Sequence, residues 1–248
     1  MTTILVTGGT GTLGRFVIER LRASGGHEVR ELSRRSVQYP VDLLTGAGLA
    51  DAVAGAEVIV HCATTPKGGA DETAARHLID AARAAGVRHL VYISIVGIDR
   101  VPLGYYRTKL QVERLIEESG LGFTILRATQ FHELALTFAR GLTKLPVALV
   151  PTGVRLQPVA VDEVAARLVA LALGEPAGHA EELGGPEVLS LEALVRTYLR
   201  AVGKRRPVLG VRLPGRLFAA LRAGGLLTPE HAVGEGTFGE FVGGAVGR

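Results

Sequence analysis

The chain has 248 residues, of which 47% are hydrophobic and 21% are charged, and it contains no low-complexity tract. These values exclude a disordered protein, and the length fits one large α/β domain or one domain with a small appendage. The formal net charge of +4 is spread along the chain apart from small groups such as Lys204, Arg205 and Arg206, which fits a phosphate-bearing small molecule better than nucleic acid.

The hydrophobic runs and the cysteine content of the sequence both bear on where the protein is located. No apolar run approaches the roughly 20 residues that a bilayer span requires, and Met1 leads almost directly into a strand-like run, so we expect neither a span nor a signal peptide. Cys62 is the only cysteine, which excludes an intrachain disulfide and a thiolate metal cluster. We therefore expect a cytoplasmic protein with no metal, no membrane partner and no nucleic-acid partner.

Short β-type runs alternate with longer segments of helical period in the first half of the chain. This alternation is typical of repeated βαβ units around a parallel sheet. Most of the short runs are apolar throughout, as strands covered on both faces are. The predicted strands are Thr3–Val6, Glu28–Leu32, Gln38–Val41, Glu57–His61, His89–Ser94 and Gly122–Arg127.

Helical patterns fill the segments between these strands. Two of them are expected to end at glycine, at Gly86 and Gly120, because a glycine accepts the left-handed conformation that closes a helix. The predicted helices are Thr12–Ala23, Gly48–Val53, Ala70–Ala85 and Tyr105–Glu118.

After about Phe131 the strict alternation loosens. Helical patterns recur at Asp162–Leu173 and Leu191–Val202, and Thr228-Pro229-Glu230 predicts a further helix start with a hydroxyl cap. We therefore predict an α/β fold with a doubly wound parallel sheet and a small, mainly helical C-terminal part. Residues 1–130 form the dinucleotide-binding core in this prediction, and residues 131–248 form a substrate-pocket or lid segment that is partly integrated with the core.

A glycine-rich loop, TGGTGTLG, follows the first predicted strand and opens the first predicted helix. Gly8 permits a tight turn, Gly11 lets the backbone approach a pyrophosphate, and Gly14 allows close contact between helix and strand. The free N–H groups of the helix then bind the phosphates. This strand, loop and helix context indicates a dinucleotide site rather than an ordinary glycine turn.

The residues after the second predicted strand indicate which dinucleotide is bound. An acidic residue near this position would hold the 2′-hydroxyl of NAD, but the sequence has Ser33, Arg34 and Arg35. A guanidinium offers paired donors that suit the 2′-phosphate of NADP. We therefore expect NADPH, with NAD as an alternative, because Glu31 reaches the ribose if the strand boundary is displaced by a residue or two.

With these residues in view, the chain resembles the short-chain dehydrogenase/reductase superfamily, and within it the atypical, NmrA-like branch. The motifs that carry the resemblance are TGGTGTLG, HLVYISIVGI, YYRTK and TILRATQF, which stand in the expected order between Thr7 and Phe131. The first two motifs are typical of the superfamily, and the last two indicate the branch.

The resemblance implies a catalytic set. Tyr105 and Lys109 match the superfamily's Tyr-x-x-x-Lys pair, in which the lysine ammonium lowers the tyrosine pKa and the phenol gives a proton to a carbonyl oxygen. Tyr106 also faces the lysine and is an alternative acid. Ser94 stands near the position of the superfamily's serine, and the catalytic set is incomplete if Ile95 or Val96 occupies that register instead.

The resemblance also implies further contacts. Asp42 matches the position that meets the adenine, although a turn cap is an equal interpretation, and His61 and Cys62 are best explained by buried packing. Cofactor contacts are expected from Gly8, Thr10, Gly11, Thr12, Leu13, Gly14, Ser33, Arg34, Arg35, Asp42, Leu43, Ala63, Thr64, Thr65, Lys109 and Arg127. Substrate-pocket candidates are Thr129, Gln130, Phe131 and His132, although His132 is also explained as a solvated residue at a helix start.

These residues predict an NADPH-dependent oxidoreductase that reduces a carbonyl, a quinone or a similar small molecule by hydride transfer. The main alternative is an NmrA-like redox sensor that binds the dinucleotide without turnover, and a weaker one is a sugar-nucleotide epimerase or dehydratase. The sequence lacks the G-x-S-x-G, H-E-x-x-H and Walker lysine patterns, so hydrolase, zincin and P-loop classes are set aside. The expected partner is a small-molecule substrate, and the oligomeric state is either monomer or homodimer.

Overall fold

The computed structural model describes residues 1–64 and 69–246. Its strands are β1 (Thr2–Thr7), β2 (His27–Ser33), β3 (Tyr39–Pro40), β4 (Val58–His61), β5 (His89–Ile95), β6 (Gly122–Ala128), β7 (Ala148–Pro151), β8 (Arg155–Leu156), β9 (Gly178–His179), β10 (Leu189–Ser190) and β11 (Val208–Val211). Its α-helices are α1 (Thr12–Ser24), α2 (Leu49–Val53), α3 (Ala70–Ala84), α4 (Gly104–Glu117), α5 (His132–Leu142), α6 (Val161–Ala172), α7 (Leu191–Ala201), α8 (Arg216–Arg222) and α9 (Phe238–Val246).

A seven-stranded sheet in the order β3-β2-β1-β4-β5-β6-β9 organises the first half of the chain. Strand β1 pairs in parallel with β2 on one side and with β4 on the other. Thr7 is opposite both Leu32 and His61, so these three strands end at the same edge. The strand order reverses at β1, which is where open α/β sheets bind their ligands. The predicted α/β class is confirmed.

The sheet is buried because its central strands are apolar. Every residue of β4 is buried, and Ile4, Leu5 and Val6 of β1 have no exposed surface. Gly86 and Gly120 have φ angles of 71° and 77°, the left-handed conformation that was predicted to close α3 and α4. The two glycines therefore end α3 and α4 at the positions from which the chain turns back to the sheet.

The contacts group the chain into two compact units. The first consists of Met1–Ser94, Gly104–Arg127 and Val161–Glu181, and it contains the large sheet. Within it, α6 packs on α1, and Arg20 donates two hydrogen bonds to Asp162 at 2.8 and 2.6 Å. A segment late in the sequence thus completes the first unit.

The second unit consists of Ile95–Leu103, Ala128–Ala160 and Glu182–Arg248 as far as they are described. It contains α5, α7, α8 and α9, a parallel pair β7–β11 and an antiparallel pair β8–β10. A helix starts after Thr228 with proline in its first turn, as predicted, but it is a single 3-10 turn, Pro229–His231. The predicted hydroxyl cap is wrong, because the Thr228 side chain makes no cap hydrogen bond. Helices α5, α8 and α9 were not predicted.

Candidate active site

The glycine loop between β1 and α1 has no room for side chains at two of its glycines. The Gly11 N–H donates to the Gly8 carbonyl at 2.8 Å, which closes the turn. A Cβ on Gly14 would lie 2.3 Å from the Gly8 oxygen, and a Cβ on Gly8 would lie 2.7 Å from the Ala63 nitrogen. Gly8 also has a φ of +68°, which side chains rarely tolerate. The loop is therefore a tight turn that a Cβ at Gly8 or Gly14 would distort, and we call it the Gly8–Gly14 cradle.

The start of helix α1 leaves its amides open to a ligand. Its N-cap, Gly11, has no side chain to cap the helix, and the first turn contains no acidic residue. The Arg15 N–H, which donates to the Gly11 carbonyl, is the first amide of α1 with a partner inside the helix, so the amides of Thr12, Leu13 and Gly14 have no such partner. Such amides and the helix dipole attract phosphate. The loop therefore fits the diphosphate of a dinucleotide.

The side chains that were expected to contact the cofactor differ in their exposure. Thr10 and Thr12 are exposed at the loop, whereas the Leu13 side chain is only 6% exposed and packs into the core. Leu43 is likewise buried in the core, and its carbonyl accepts from His77 Nδ1 at 2.9 Å. Leu13 therefore has only its backbone amide to offer.

The end of β2 places two guanidinium groups near the same edge of the sheet as the glycine loop. The Ser33 hydroxyl accepts from the Arg35 N–H at 3.2 Å, and the Ser36 N–H donates to the Ser33 carbonyl. These bonds form a turn on which Arg34 and Arg35 are both exposed. Glu31 lies against the loop, because its Cγ is 2.5 Å from the place of a Gly9 Cβ.

The ends of β3 and β4 carry the remaining cofactor candidates. Asp42 Oδ1 accepts from the Leu44 N–H at 3.0 Å, the turn-cap contact that was one of its two interpretations. The Ala63 N–H donates to Thr7 Oγ1 at 3.2 Å, which fixes the backbone beside the glycine loop. Thr65 lies outside the described residues.

Arg127 was expected to contact the cofactor, but it has a structural partner. Its Nε and Nη2 atoms donate to the two carboxylate oxygens of Glu113 at 3.0 and 2.6 Å. Glu113 is 1% exposed, and a buried carboxylate requires such a bidentate partner. The cofactor contact of Arg127 stays a prediction.

Tyr105 belongs to a hydrogen-bonded chain. Its hydroxyl lies 2.8 Å from Thr64 Oγ1, and the Thr64 hydroxyl donates to Asp71 Oδ2 at 2.6 Å. Because Thr64 has one proton and gives it to the carboxylate, the phenol donates to Thr64. Asp71 was missed by the sequence analysis. Its signal is an acidic residue in the first turn of the helix that follows β4.

Lys109 does not bond to Tyr105. Its Nζ donates to the Ile93 carbonyl at 3.0 Å and lies 4.2 Å from the centre of the Tyr92 ring. Burial lowers the pKa of Lys109 to about 8, although the charge of Asp71 acts in the opposite direction. The pKa of Tyr105 is raised, first by burial and further by Asp71, while its Thr64 hydrogen bond opposes this. The expectation that Lys109 lowers the pKa of Tyr105 is therefore wrong here.

Ser94 and Tyr106 are both buried. Ser94 is 2% exposed, and its Oγ has no hydrogen-bond partner among the described residues. Tyr106 is 8% exposed, with its ring centre 6.3 Å from that of Tyr105. Tyr105 is the more accessible phenol of the two, and we use it as the candidate acid.

His61 is buried and packed, as predicted, whereas Cys62 is half-buried. His61 Nδ1 lies 2.7 Å from Thr7 Oγ1, and its ring stacks on Tyr92 at 5.4 Å. Burial lowers the pKa of His61 to about 3 and raises that of Cys62 to about 12, so both stay neutral. No cluster of three potential metal-ligating side chains occurs in residues 1–64 and 69–246.

The four pocket candidates lie in the second unit and differ in what their side chains can do. Thr129 Oγ1 donates to the Gln157 carbonyl at 2.5 Å, and Phe131 precedes α5 as its N-cap. His132 is 1% exposed and packs against Phe238 and Phe241, so the interpretation as a solvated residue is wrong.

Gln130 is the pocket candidate with unused polar groups. It is 5% exposed, and neither its amide nitrogen nor its amide oxygen has a hydrogen-bond partner in the described part of the chain. A buried amide without a partner is costly, which is a reason to expect a ligand there.

Residues 8–173 match the model of a family described as NAD(P)H-binding. The chain belongs to this NAD(P)H-binding family. It is 32% identical over 217 residues to the (4-alkanoyl-5-oxo-2,5-dihydrofuran-3-yl)methyl phosphate reductase of Streptomyces griseus, covering 81% of this chain and 74% of that protein. It is 26% identical over 218 residues to quinone oxidoreductase 2 of Escherichia coli, covering 82% and 75% respectively.

A solved structure shows the same fold. The NADPH-dependent quinone oxidoreductase of Escherichia coli, crystallised with NADPH, superposes with a TM-score of 0.81 at 23% identity, and the match covers 98% of this chain and 99% of that chain. The predicted NAD(P)-binding Rossmann protein is confirmed, and proteins of the short-chain dehydrogenase/reductase superfamily are among the solved structures with this fold. None of the helices in the described ranges is both long and apolar enough to cross a bilayer.

Proposed function

We propose that this protein is an NADPH-dependent reductase of a quinone, a conjugated carbonyl or a similar small molecule. The observation that carries the proposal is the Gly8–Gly14 cradle at the point where the strand order reverses, in a chain whose relatives are named reductases. The test is whether the purified protein consumes NADPH, seen as loss of nicotinamide absorbance, when a panel of quinones and enones is added.

The chain's own residues divide the task between binding and proton supply. NADPH, when bound, supplies a hydride. The α1 amides bind its diphosphate, and Arg34 and Arg35 bind its 2′-phosphate. A carbonyl group whose carbon accepts a hydride needs one proton on its oxygen, and Tyr105 holds a proton in its hydrogen-bonded chain to Thr64 and Asp71. Gln130 has two unused polar groups for a substrate.

Cofactor choice can be tested at the two guanidinium groups. The double variant Arg34→Ser/Arg35→Ser should bind NADPH roughly 10- to 100-fold more weakly, because a charge-assisted contact contributes about 1.5–3 kcal/mol. Its affinity for NADH should change little, since NADH lacks the 2′-phosphate. Titration calorimetry with both nucleotides measures the ratio.

Arg83→Ser provides the matched control, since Arg83 is an exposed arginine at the end of α3. It should leave both affinities unchanged. Equal weakening of NADPH and NADH by the double variant would show that the two arginines do not read the 2′-phosphate.

The Asp71 charge should control the pH dependence of turnover. Lys109 is protonated below its pKa of about 8, so kcat/KM should fall as the pH rises through this value if the charge is needed. In Asp71→Asn the carboxylate no longer stabilises the ammonium or raises the pKa of Tyr105, so both pKa values fall. The descending limb of the kcat/KM profile should therefore move to lower pH.

Thr64→Ser is the control for this experiment, because it keeps the hydroxyl that joins Tyr105 to Asp71. Its pH profile should match that of the unmodified protein. If the descending limb of the kcat/KM profile does not move in Asp71→Asn, the Asp71 charge does not affect the reaction and the residue has a structural role only.

A redox sensor without turnover is the second candidate. The observation that favours it is the position of Lys109, whose Nζ donates to the Ile93 carbonyl rather than to the phenol of Tyr105. A sensor would bind NADPH and NADP⁺ with different affinities and oxidise NADPH with no member of the acceptor panel. Turnover with any acceptor would show that the protein is a reductase and not a sensor without turnover.

A further inference from the structure

Positive charge is concentrated in one segment of the second unit. Between Ala193 and Pro229 the sequence has eight lysines and arginines and no aspartate or glutamate. This segment includes most of α7, all of β11 and all of α8. Charges of one sign without intervening acids create a field that attracts anions over a Debye length. The segment is therefore a candidate surface for an anionic partner.

Five of the eight cations line an open groove of about 540 Å³ at the end of α7, between that helix and the start of β11. One of them, Arg196, is paired with Glu192 at 2.5 Å. Arg206 is partly engaged, since it donates to the carbonyls of Thr143 and Leu145. Lys204 and Arg205 are exposed, and within the described residues no hydrogen bond or ion pair engages their side chains. The groove is lined in part by Arg196, Leu199, Arg200, Lys204, Arg205 and Arg206.

Exposed leucines adjoin these cations. Leu149 of β7 is paired in register with Leu209 of β11, and they are 52% and 54% exposed. Leu145 is 66% exposed, and Arg206 binds its carbonyl at 2.6 Å. Leu209 directly follows Val208, which lines the groove, so the exposed leucines lie next to the cationic groove along the chain. We call Leu145, Leu149, Leu209, Lys204, Arg205 and Arg206 the basic-leucine surface.

We propose that the basic-leucine surface binds the face of an anionic phospholipid bilayer. Cations near such a face each strengthen binding roughly fivefold by attraction to the headgroups. Exposed leucines beside the cations strengthen binding when they are buried in the apolar layer beneath the headgroups. A nucleic acid has no such layer. The groove lining has no aromatic ring for stacking bases, which single-stranded nucleic acids use. The contact is peripheral, because it needs no spanning helix.

Vesicle flotation with the full chain, without substrate or cofactor, tests this surface separately from the reductase proposal. At low ionic strength the protein should float with phosphatidylcholine vesicles that contain about 30% phosphatidylglycerol and not with phosphatidylcholine alone. Salt should weaken the binding. Lys204→Glu/Arg205→Glu should weaken it roughly 20-fold or more, since two attractive charges are reversed.

Two further variants make the result specific. Arg76→Glu/Arg167→Glu makes the same change of net charge at exposed positions of α3 and α6 in the first unit, and it should leave binding within about twofold. Leu149→Thr/Leu209→Thr keeps residues that favour strands and should weaken vesicle binding roughly tenfold through lost apolar burial.

Three outcomes would overturn the proposal. The first is equal flotation with neutral and anionic vesicles, or none with either. The second is an equal loss in the first-unit control, which would make the effect one of net charge. The third is salt-dependent binding to a random-sequence DNA duplex with vesicle binding insensitive to the leucine variant, which would assign the surface to nucleic acid.

Discussion

Replacing Gly14 with alanine should weaken NADPH binding by about 100-fold or more. The new Cβ would lie 2.3 Å from the Gly8 oxygen and within 2.9 Å of the Gly9 Cα, so backbone on one side of the loop has to move. A displaced loop loses charge-assisted bonds from amides to phosphate, each of which contributes about 1.5–3 kcal/mol. Isothermal titration with NADPH measures the loss.

Gly141→Ala is the matched control, because Gly141 is also a helical glycine but has no heavy atom within 4 Å of an added Cβ. Alanine there should raise the free energy of unfolding by up to about 1 kcal/mol and leave NADPH affinity unchanged. Thermal unfolding of both variants separates a lost site from a lost fold. A folded Gly14→Ala protein with unchanged affinity would refute the cradle as the diphosphate site.

Local patterns predicted the first half of the fold well. Neighbouring residues specify the strand after Met1, the glycine loop and the helix after it. The observed ends of β1, β2 and β4 lie within one residue of the predicted ends. A strand that is covered on both faces of the sheet is hydrophobic along its whole length, and such a run is easily recognised in a sequence. The third strand was predicted as Gln38–Val41 and has only Tyr39–Pro40, since Pro40 lacks the N–H that a longer ladder needs.

The second unit could not be predicted in the same way. Its strands β8 and β10 have two residues each, and only pairing between segments distant in the sequence creates them. Helix α9 contains three glycines, which lowers its intrinsic helix preference, and packing of the buried Phe238 and Val242 compensates. Tertiary contacts rather than local preference form these elements.

In the candidate site, too, some features follow from the local sequence and others from tertiary contacts. The glycine positions follow from backbone geometry and were predicted one by one. The environment of Tyr105 depends on Thr64 and Asp71, which are about forty residues earlier in the chain. A spacing of four residues places Tyr105 and Lys109 on one face of α4, but it does not fix where a long lysine side chain ends. Here the ammonium ends at the Ile93 carbonyl.

Tyr105→Phe is expected to lower kcat for a carbonyl acceptor by about 100- to 10,000-fold, the usual contribution of a positioned acid. The phenyl ring keeps the volume of the side chain and removes only the hydroxyl that bonds to Thr64. NADPH affinity should stay the same, because the glycine loop and the arginines are untouched. Steady-state kinetics with an identified acceptor, together with a nucleotide titration, measures both quantities.

Tyr106→Phe is the control, since this neighbouring phenol is 8% exposed and should retain near-normal turnover. If Tyr106→Phe loses activity and Tyr105→Phe keeps it, the acid is the buried phenol. Full turnover in both variants would mean that water protonates the product, and the Tyr105, Thr64 and Asp71 chain then serves to close the edge of the sheet. Because the two tyrosines are adjacent on one helix, any general effect on α4 should appear in both variants, so a difference between them reports on the proton.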